Sequence, residues 1–163
     1  TFHVSKLNIR SATKNDSSDL LEWRNDPLTT QMSQNTHSVS QADHEAWFRK
    51  TLNTQSIELL ICESESSHKE ILKIGMVRFD ETADNVYKVS INLNPIHRGK
   101  GLAKKCLESS INDFNKKDKT NIRLVAEIKA SNEASKKIFC DVGFKYVKNI
   151  DNNFLQYMLD LNL

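Results

Sequence analysis

Alternating apolar and polar residues are the clearest pattern in this chain. Apolar side chains occupy every second position from residue 87 to residue 93, which is the period of a β-strand with one buried face. Pro95 follows and cannot donate to a sheet ladder, so the strand is expected to end before it. The same period, or a short apolar run between polar linkers, predicts strands at residues 7–11, 57–62, 71–79, 86–93, 122–128, 144–147 and 154–159.

Apolar residues at helical spacing predict four helices. The strongest repeat starts at Leu102 and places its apolar residues on one stripe. Another helix is expected to end at Gly143, because glycine suits the left-handed turn that often follows a helix. In the first third of the chain, one helix should end before Pro27 and another should begin after the capping residue Ser40. A polar stretch, residues 29–38, lies between these two helices.

The order of these elements is β-α-α-β-β-β-α-β-α-β-β, which predicts an α+β fold in a single domain spanning residues 1–163. Short polar linkers join successive strands in the middle of the chain, so these strands should be antiparallel neighbours. The strand before the Leu102 helix and the strand after it should be parallel, because a helix crosses between them. We therefore expect a mixed, mostly antiparallel sheet of about seven strands flanked by four helices.

Charge and cysteine content argue against several classes of function. The 163 residues carry a formal net charge of +2, which provides little attraction to nucleic acid. Cys62, Cys106 and Cys140 are odd in number, widely spaced and match no zinc pattern. No apolar run reaches membrane length, and no signal peptide is recognised. These features predict a cytoplasmic protein without a metal, a membrane or a nucleic-acid partner.

A glycine-bearing turn joins the strand at residues 86–93 to the helix that starts at Leu102. Gly99 and Gly101 have no Cβ, so a ligand can approach their backbone closely. The free N–H groups and the dipole of the following helix add partial positive charge at the same place. This combination indicates a phosphate site, and a tight turn without a ligand is the alternative. The turn fits neither the P-loop nor the dinucleotide fingerprint.

Two short patterns carry a resemblance to a known family. The turn has the pattern R-x-x-G-x-A at Arg98, Gly101 and Ala103. Downstream, Ala126-Glu127-Ile128 is followed by Ser131-Asn132-Glu133-Ala134-Ser135 and then by residues 138–144. In this order, the patterns resemble the GNAT N-acetyltransferases. The resemblance implies acetyl-coenzyme A (acetyl-CoA) as co-substrate, with its pyrophosphate at the turn and its pantetheine arm along the strand that ends at Leu93.

The first half of the chain resembles a narrower group, the bacterial acetyltransferases of nucleotide-linked amino sugars in pathways of the pseudaminic acid type. The likeness lies in residues 20–27, His44 and Trp47. It implies an acceptor amine of the UDP-4-amino-4,6-dideoxy sugar type. Thr29 departs from the group, whose members often have an arginine at this position. A ribosomal or other protein N-terminus stays open as the alternative acceptor, and assembly as a homodimer also stays open.

The resemblance assigns roles to particular residues. Glu127 would be the general base, with a surface ion pair to Arg123 or Lys129 as the alternative. Phe139 stands where many members have a tyrosine that reprotonates the leaving thiolate, so a coenzyme A-binding module without turnover is also open. The cofactor-binding residues would be Ile91, Asn92, Leu93, Arg98, Gly99, Lys100, Gly101, Leu102, Ala103 and Asn132. The acceptor pocket would be bordered by Trp23, Arg24, Asn25, Met32, His44 and Trp47.

Overall fold

The computed structural model of the protein describes residues 7–115 and 120–161. Within these ranges the chain forms seven β-strands and five α-helices, which confirms the predicted α+β class. They are β1 (Leu7–Ser11), α1 (Ser17–Arg24), α2 (Pro27–Gln31), α3 (Gln41–Leu52), β2 (Ile57–Glu65), β3 (Ile71–Ala83), β4 (Val86–Leu93), α4 (Leu102–Asn115), β5 (Ile122–Lys129), α5 (Glu133–Val142), β6 (Lys145–Asn149) and β7 (Phe154–Leu161). The charged loop that the sequence predicts after α4 falls mostly on residues 116–119, outside the described ranges.

The short helix α2 is one helix more than the four that the sequence predicts. Pro27 occupies its first position, where a missing N–H costs nothing. The Asp26 carboxylate caps the helix by accepting a hydrogen bond from the Thr29 N–H at 3.2 Å. Five residues are too few to show an apolar repeat, so this helix has no periodic signal in the sequence.

The seven strands form one sheet in the order β1-β2-β3-β4-β5-β7-β6. All neighbouring strands are antiparallel except β4 and β5, which are parallel because α4 crosses between them. β4 pairs with β5 only from Val86 to Lys88, whereas its pairing with β3 continues to Leu93. β5 stays paired with β7 as far as Lys129. The two parallel strands therefore part beyond Lys88 and leave a cleft between them.

Helices cover both faces of the sheet, and each face has its own apolar cluster. Successive residues of β2 alternate between the two clusters, with Leu60 in the larger one and Ile61 in the smaller one. On the larger cluster, Phe114 of α4 stacks on Phe79 with 4.2 Å between ring centroids. The helices α1 and α3 supply the smaller cluster, where Trp23 is buried. This three-layer packing fixes the frame on which the cleft is built.

A buried carboxylate ties the start of α1 to the sheet. Asp16 is only 1% exposed, accepts hydrogen bonds from Arg10 of β1 and forms an ion pair with Lys73 of β3 at 2.7 Å. Burial opposes its ionisation, but the hydrogen bonds from Arg10 and Lys73 outweigh burial and hold the pKa of the Asp16 carboxyl well below its usual range. Asp16 is therefore charged at neutral pH and anchors α1 against two strands.

Asp16→Asn is expected to lower the free energy of unfolding by about 3 kcal/mol at pH 7, since it leaves Arg10 and Lys73 without their buried partner. A carboxyl whose pKa is lower in the folded state stabilises the fold above its unfolded pKa of about 3.9, and this contribution is lost as the pH falls below that value. Urea unfolding should therefore separate the two proteins fully at pH 7, and the difference should shrink below pH of about 4.

Asp160→Asn is the matched control, because it removes the carboxylate of the more exposed Arg123–Asp160 pair. This substitution should change the free energy of unfolding much less than Asp16→Asn does. A destabilisation by Asp16→Asn that is the same at every pH would contradict the assigned role of its charge.

Candidate functional site

The cleft between β4 and β5 is part of a cavity of about 1330 Å³. β4, the turn before α4, the end of β5 and the start of α5 line one side, and α1, α2 and α3 line the other. Beyond Lys88, the edge of β4 that faces away from β3 pairs with no strand of the described residues. Because backbone N–H and C=O groups need hydrogen-bond partners, this edge suits an extended ligand that pairs with it as an added strand.

The turn between β4 and α4 leaves open space at its glycines. Gly99 and Gly101 have φ angles of +75° and +71°, a left-handed conformation that other residues adopt at a cost. A Cβ added at either position would meet no atom of the described residues within 4 Å. Gly101 directly precedes α4, whose first N–H groups and dipole favour an anion. The geometry therefore fits a phosphate group at this turn.

The Arg98 side chain lies in the cavity wall, but part of it is directed to α2. Its Nη2 donates hydrogen bonds to Asp26 Oδ2 at 2.5 Å and to Thr29 Oγ1 at 2.8 Å. The sequence motif predicts only a role at the pyrophosphate for Arg98. The structure adds a contact across the cavity, and it gives the Thr29 hydroxyl a hydrogen-bond partner.

All but one of the residues predicted to bind the cofactor line the cavity. They are Ile91, Asn92, Leu93, Arg98, Gly99, Gly101, Leu102, Ala103 and Asn132. The exception is Lys100, which is absent from the cavity wall. Asn132 Oδ1 caps α5 by accepting from the Ser135 N–H at 3.1 Å, and Asn132 Nδ2 has no hydrogen-bond partner among the described residues. The amide nitrogen of Asn132 is thus available to a ligand in the cleft.

Glu127 lies in the cavity wall on β5, beyond the point where β5 has left β4. Lys88 Nζ forms an ion pair with its Oε2 at 2.9 Å, and Gln34 Nε2 donates to the same oxygen at 2.8 Å. Within the described residues, Oε1 has no hydrogen-bond partner. One carboxylate oxygen is therefore held from two sides, and the other is open to a ligand in the cleft.

The partners that the sequence suggests for Glu127 are bound elsewhere. Lys129 donates to the Gln31 carbonyl at 2.7 Å, and Arg123 is paired with Asp160 at 2.8 Å. Lys88 and Gln34 were not predicted at this site. No sequence motif marks either residue. The one feature that points to Lys88 is its position, because it is the last residue of β4 that pairs with β5 and it carries a positive charge.

Four of the six residues predicted at the acceptor pocket line the cavity, namely Arg24, Met32, His44 and Trp47. Trp23 does not line the cavity, because its side chain is buried in the smaller apolar cluster at 3% exposure. Asn25 also lies outside the cavity wall. Its side chain pairs twice with the backbone of Val39, at 2.8 Å and 2.7 Å, and so fixes the chain before α3.

His44 is fixed within the wall of the acceptor side. Its Nε2 lies 2.9 Å from the Ser17 carbonyl, to which a protonated Nε2 donates. Burial lowers the pKa of His44 below its usual value. His44 is therefore a neutral, oriented ring that stacks on Phe48 and supports Trp47.

No tyrosine of the described residues lines the cavity. Phe139, which takes the place of the tyrosine that many family members have, is buried against Phe144 with 5.0 Å between ring centroids. Tyr87 and Tyr157 belong to the larger apolar cluster, and Tyr146 is exposed on β6. A phenol from these residues is therefore not positioned to protonate a leaving group in the cleft.

Comparison with known proteins agrees with this fold. Residues 6–145 match the acetyltransferase (GNAT) domain family. No curated protein matches the chain in sequence. Similar solved structures include spermidine N-acetyltransferase from Vibrio cholerae in complex with CoA and spermine (TM-score 0.80, 15% identity, 96% of each chain). They also include YncA from Salmonella typhimurium with its cofactor acetyl-CoA (0.76, 21%, 98% of this chain and 96% of that chain) and an N-acetyltransferase from Staphylococcus aureus Mu50 (0.74, 25%, 96% and 99%).

The family match extends over most of the chain, so the chain belongs to the GNAT acetyltransferase family. It is an N-acetyltransferase that takes its acetyl group from acetyl-CoA. In the part of the chain that the structure describes, no group of three or more His, Cys, Asp and Glu side chains could hold a metal ion. None of the described helices combines the length and apolarity needed to cross a membrane.

Gly101→Asp is expected to weaken acetyl-CoA binding more than about hundredfold, because juxtaposed like charges cost several kcal/mol. Calorimetric titration with acetyl-CoA measures this loss. Gly101→Asn is the matched control, since asparagine has the size of aspartate and a similar tolerance of the left-handed backbone, but no charge. Equal affinities of the two folded variants would rule out an anion at this turn.

Proposed function

We propose that the protein transfers the acetyl group of acetyl-CoA to the primary amine of a nucleotide-linked amino sugar. The observation that supports this acceptor most directly is the bonding of Arg24 in the cavity wall. Arg24 donates only to neutral oxygens, the Thr30 hydroxyl and the carbonyls of Asn35 and His37. No carboxylate of the described residues pairs with it, and burial lowers its pKa. A half-buried guanidinium with an unbalanced charge favours an anionic ligand, such as a diphosphate.

Trp47 adds an aromatic surface to the same side of the cavity. Arg78 lies 5.1 Å from the centre of its ring, and this guanidinium is itself balanced by Asp80 at 2.6 Å. An indole in the wall offers a flat face on which a nucleobase can stack. A polyamine, in contrast, carries only positive charge and would be repelled by Arg24. The acceptor side thus suits an amine that also carries phosphate.

The cofactor side has the features that acetyl-CoA needs. In this proposal, the pyrophosphate binds at Gly99, Gly101 and the first turn of α4, and the pantetheine arm pairs with residues 91–93 of β4. The support is the open space at both glycines and the unpaired edge of β4. Acetyl-CoA supplies a thioester whose thiolate leaves readily, so the protein need not provide a nucleophile of its own.

Glu127 is the general base in this proposal. A protonated amine cannot attack, so a group near the thioester must take a proton before or during the attack. Lys88 is the last residue of β4 that pairs with β5, and its partner there, Val125, is two residues before Glu127. Glu127 is therefore close to the edge proposed for the pantetheine arm. Its Oε2 is held by Lys88 and Gln34, which leaves Oε1 for the proton.

Steady-state turnover of acetyl-CoA with a panel of acceptors tests the choice of substrate. UDP-linked amino sugars should have the highest kcat/KM, ahead of free amino sugars, N-terminal peptides and spermine. Arg24→Ala should lower kcat/KM for the UDP-linked sugar by roughly 10- to 100-fold, the worth of a hydrogen bond to a charged group. The free amino sugar is the control, because a variant that only loosened the pocket would lose activity toward both sugars alike.

The other results of the panel are also decisive. A preference for peptides would favour a protein N-terminal acetyltransferase and overturn the sugar acceptor. Binding of acetyl-CoA without turnover on any acceptor would favour the non-catalytic coenzyme A-binding module. A higher kcat/KM for spermine than for every other acceptor would show that Arg24 does not exclude positively charged acceptors.

Glu127→Gln should lower kcat by about 10²–10⁴-fold while calorimetry still detects acetyl-CoA binding, because glutamine keeps the shape of glutamate but not its basicity. Glu108→Gln is the matched control. Glu108 is an exposed residue of α4 paired with Lys104, so this variant should retain the wild-type kcat. A Glu127→Gln enzyme with near wild-type kcat would show that the amine arrives already neutral or that another group takes the proton.

A further inference from the structure

The segment that covers the acceptor side of the cavity is attached to both sides of the cleft. We call residues 27–38, which include α2, the strap. At its start, Asp26 and Thr29 accept hydrogen bonds from Arg98 of the phosphate turn. Farther along, Gln31 accepts from Lys129 and Gln34 donates to Glu127, both of them on β5. The strap has no buried residue in α2. These polar contacts, together with the hydrogen bonds from Arg24 to Thr30, Asn35 and His37, hold it in place rather than core packing.

The contact at Arg98 is unusual because this side chain also belongs to the phosphate turn. Nη2 of Arg98 makes both contacts with Asp26 and Thr29. Nε and Nη1 have no hydrogen-bond partner among the described residues, and Arg98 lies in the cavity wall next to Gly99. A guanidinium has five N–H donors in a fixed plane, so it can bind two anionic groups at once.

We propose that Arg98 is a positioning residue that couples the two substrates, donating through Nη2 to the strap and through Nε or Nη1 to the pyrophosphate of acetyl-CoA. The proposal rests on the cofactor site of the proposed function and is independent of which amine is the acceptor. A bound pyrophosphate fixes the guanidinium, and the fixed guanidinium holds the start of the strap. Cofactor binding therefore orders the wall of the acceptor pocket before the amine arrives.

The charges on the two sides of Arg98 support this arrangement. The hydrogen bond from Arg98 lowers the pKa of Asp26, and burial opposes that shift only in part. Asp26 is therefore a carboxylate at neutral pH. In this arrangement Arg98 lies between the Asp26 carboxylate and the pyrophosphate, and its positive charge stabilises both. Without Arg98 they would repel each other, which would move the strap away from the turn.

Hydrogen exchange of the strap, measured by mass spectrometry with and without saturating CoA, tests the coupling. In the wild-type protein, CoA should slow exchange of residues 28–38 by at least about fivefold, the lower end of typical coupling between two sites. Arg98→Met keeps an unbranched apolar stem but removes the guanidinium and its donors. In this variant the strap should exchange faster without CoA, and CoA should no longer slow it.

Lys129→Met is the matched control, because it removes another basic residue that holds the strap. Its strap should also exchange faster without CoA, yet CoA should still slow the exchange. Direct shielding of the strap by CoA would persist in Arg98→Met, so the comparison separates shielding from coupling. Thr29→Val, which removes one of the two acceptors, should reduce the CoA effect and serves if Arg98→Met does not fold.

Calorimetry on the same samples separates this inference from the cofactor assignment. CoA that binds to the wild-type protein without slowing exchange of the strap would overturn the coupling and leave the cofactor site standing. Full CoA-dependent slowing in both Arg98→Met and Thr29→Val would also overturn it. Absence of CoA binding to the wild-type protein would overturn both the cofactor site and the coupling.

Discussion

The parting of β4 and β5 is the constraint on which the rest of the site depends. Each strand is secured on its outer side, β4 by β3 as far as Leu93 and β5 by β7 as far as Lys129. The inner edges can therefore separate without unravelling the sheet. Because the two strands are parallel, their carboxyl ends open at the same end of the cleft, a usual position for ligand sites in parallel sheets. The glycine turn and the start of α5 follow those two ends and so come together.

The ion pair of Lys88 and Glu127 lies where the strands begin to separate. Glu127 alternates along β5 with Ala126 and Ile128, which are buried in the larger apolar cluster, so its own side chain must face the other way. Lys88 and Gln34 then hold that carboxylate from β4 and from the strap. One carboxylate oxygen of Glu127 is directed into the cleft by three features together. They are the alternation of side chains along β5, the separation of β4 from β5, and the positive charge of Lys88 on the facing strand.

Much of this arrangement can be predicted from the sequence, and the part that cannot has a physical reason. The strand at residues 86–93 and the turn at Gly99 and Gly101 depend on neighbouring residues of the chain. The alternation of apolar residues predicts the strand, and the two glycines predict the turn. Trp23 was assigned to the acceptor pocket, but its side chain packs in the smaller apolar cluster. The short helix α2 has no period to detect. Lys88 and Gln34 meet Glu127 only through the folded sheet, so no stretch of sequence contains their contact.

The two halves of the proposed site are built from different features, so the sequence alone predicts them to different extents. The proposed cofactor side consists of backbone features, namely glycines, a helix start and a strand edge, and these have sequence signatures. The acceptor side uses side-chain contacts between residues 72 and 93 positions apart, Arg98 with Asp26 and Gln34 with Glu127. Because α2 buries no residue in the core, substitutions there cost little stability. A fold built this way can keep one acyl donor and alter part of its acceptor pocket through the strap.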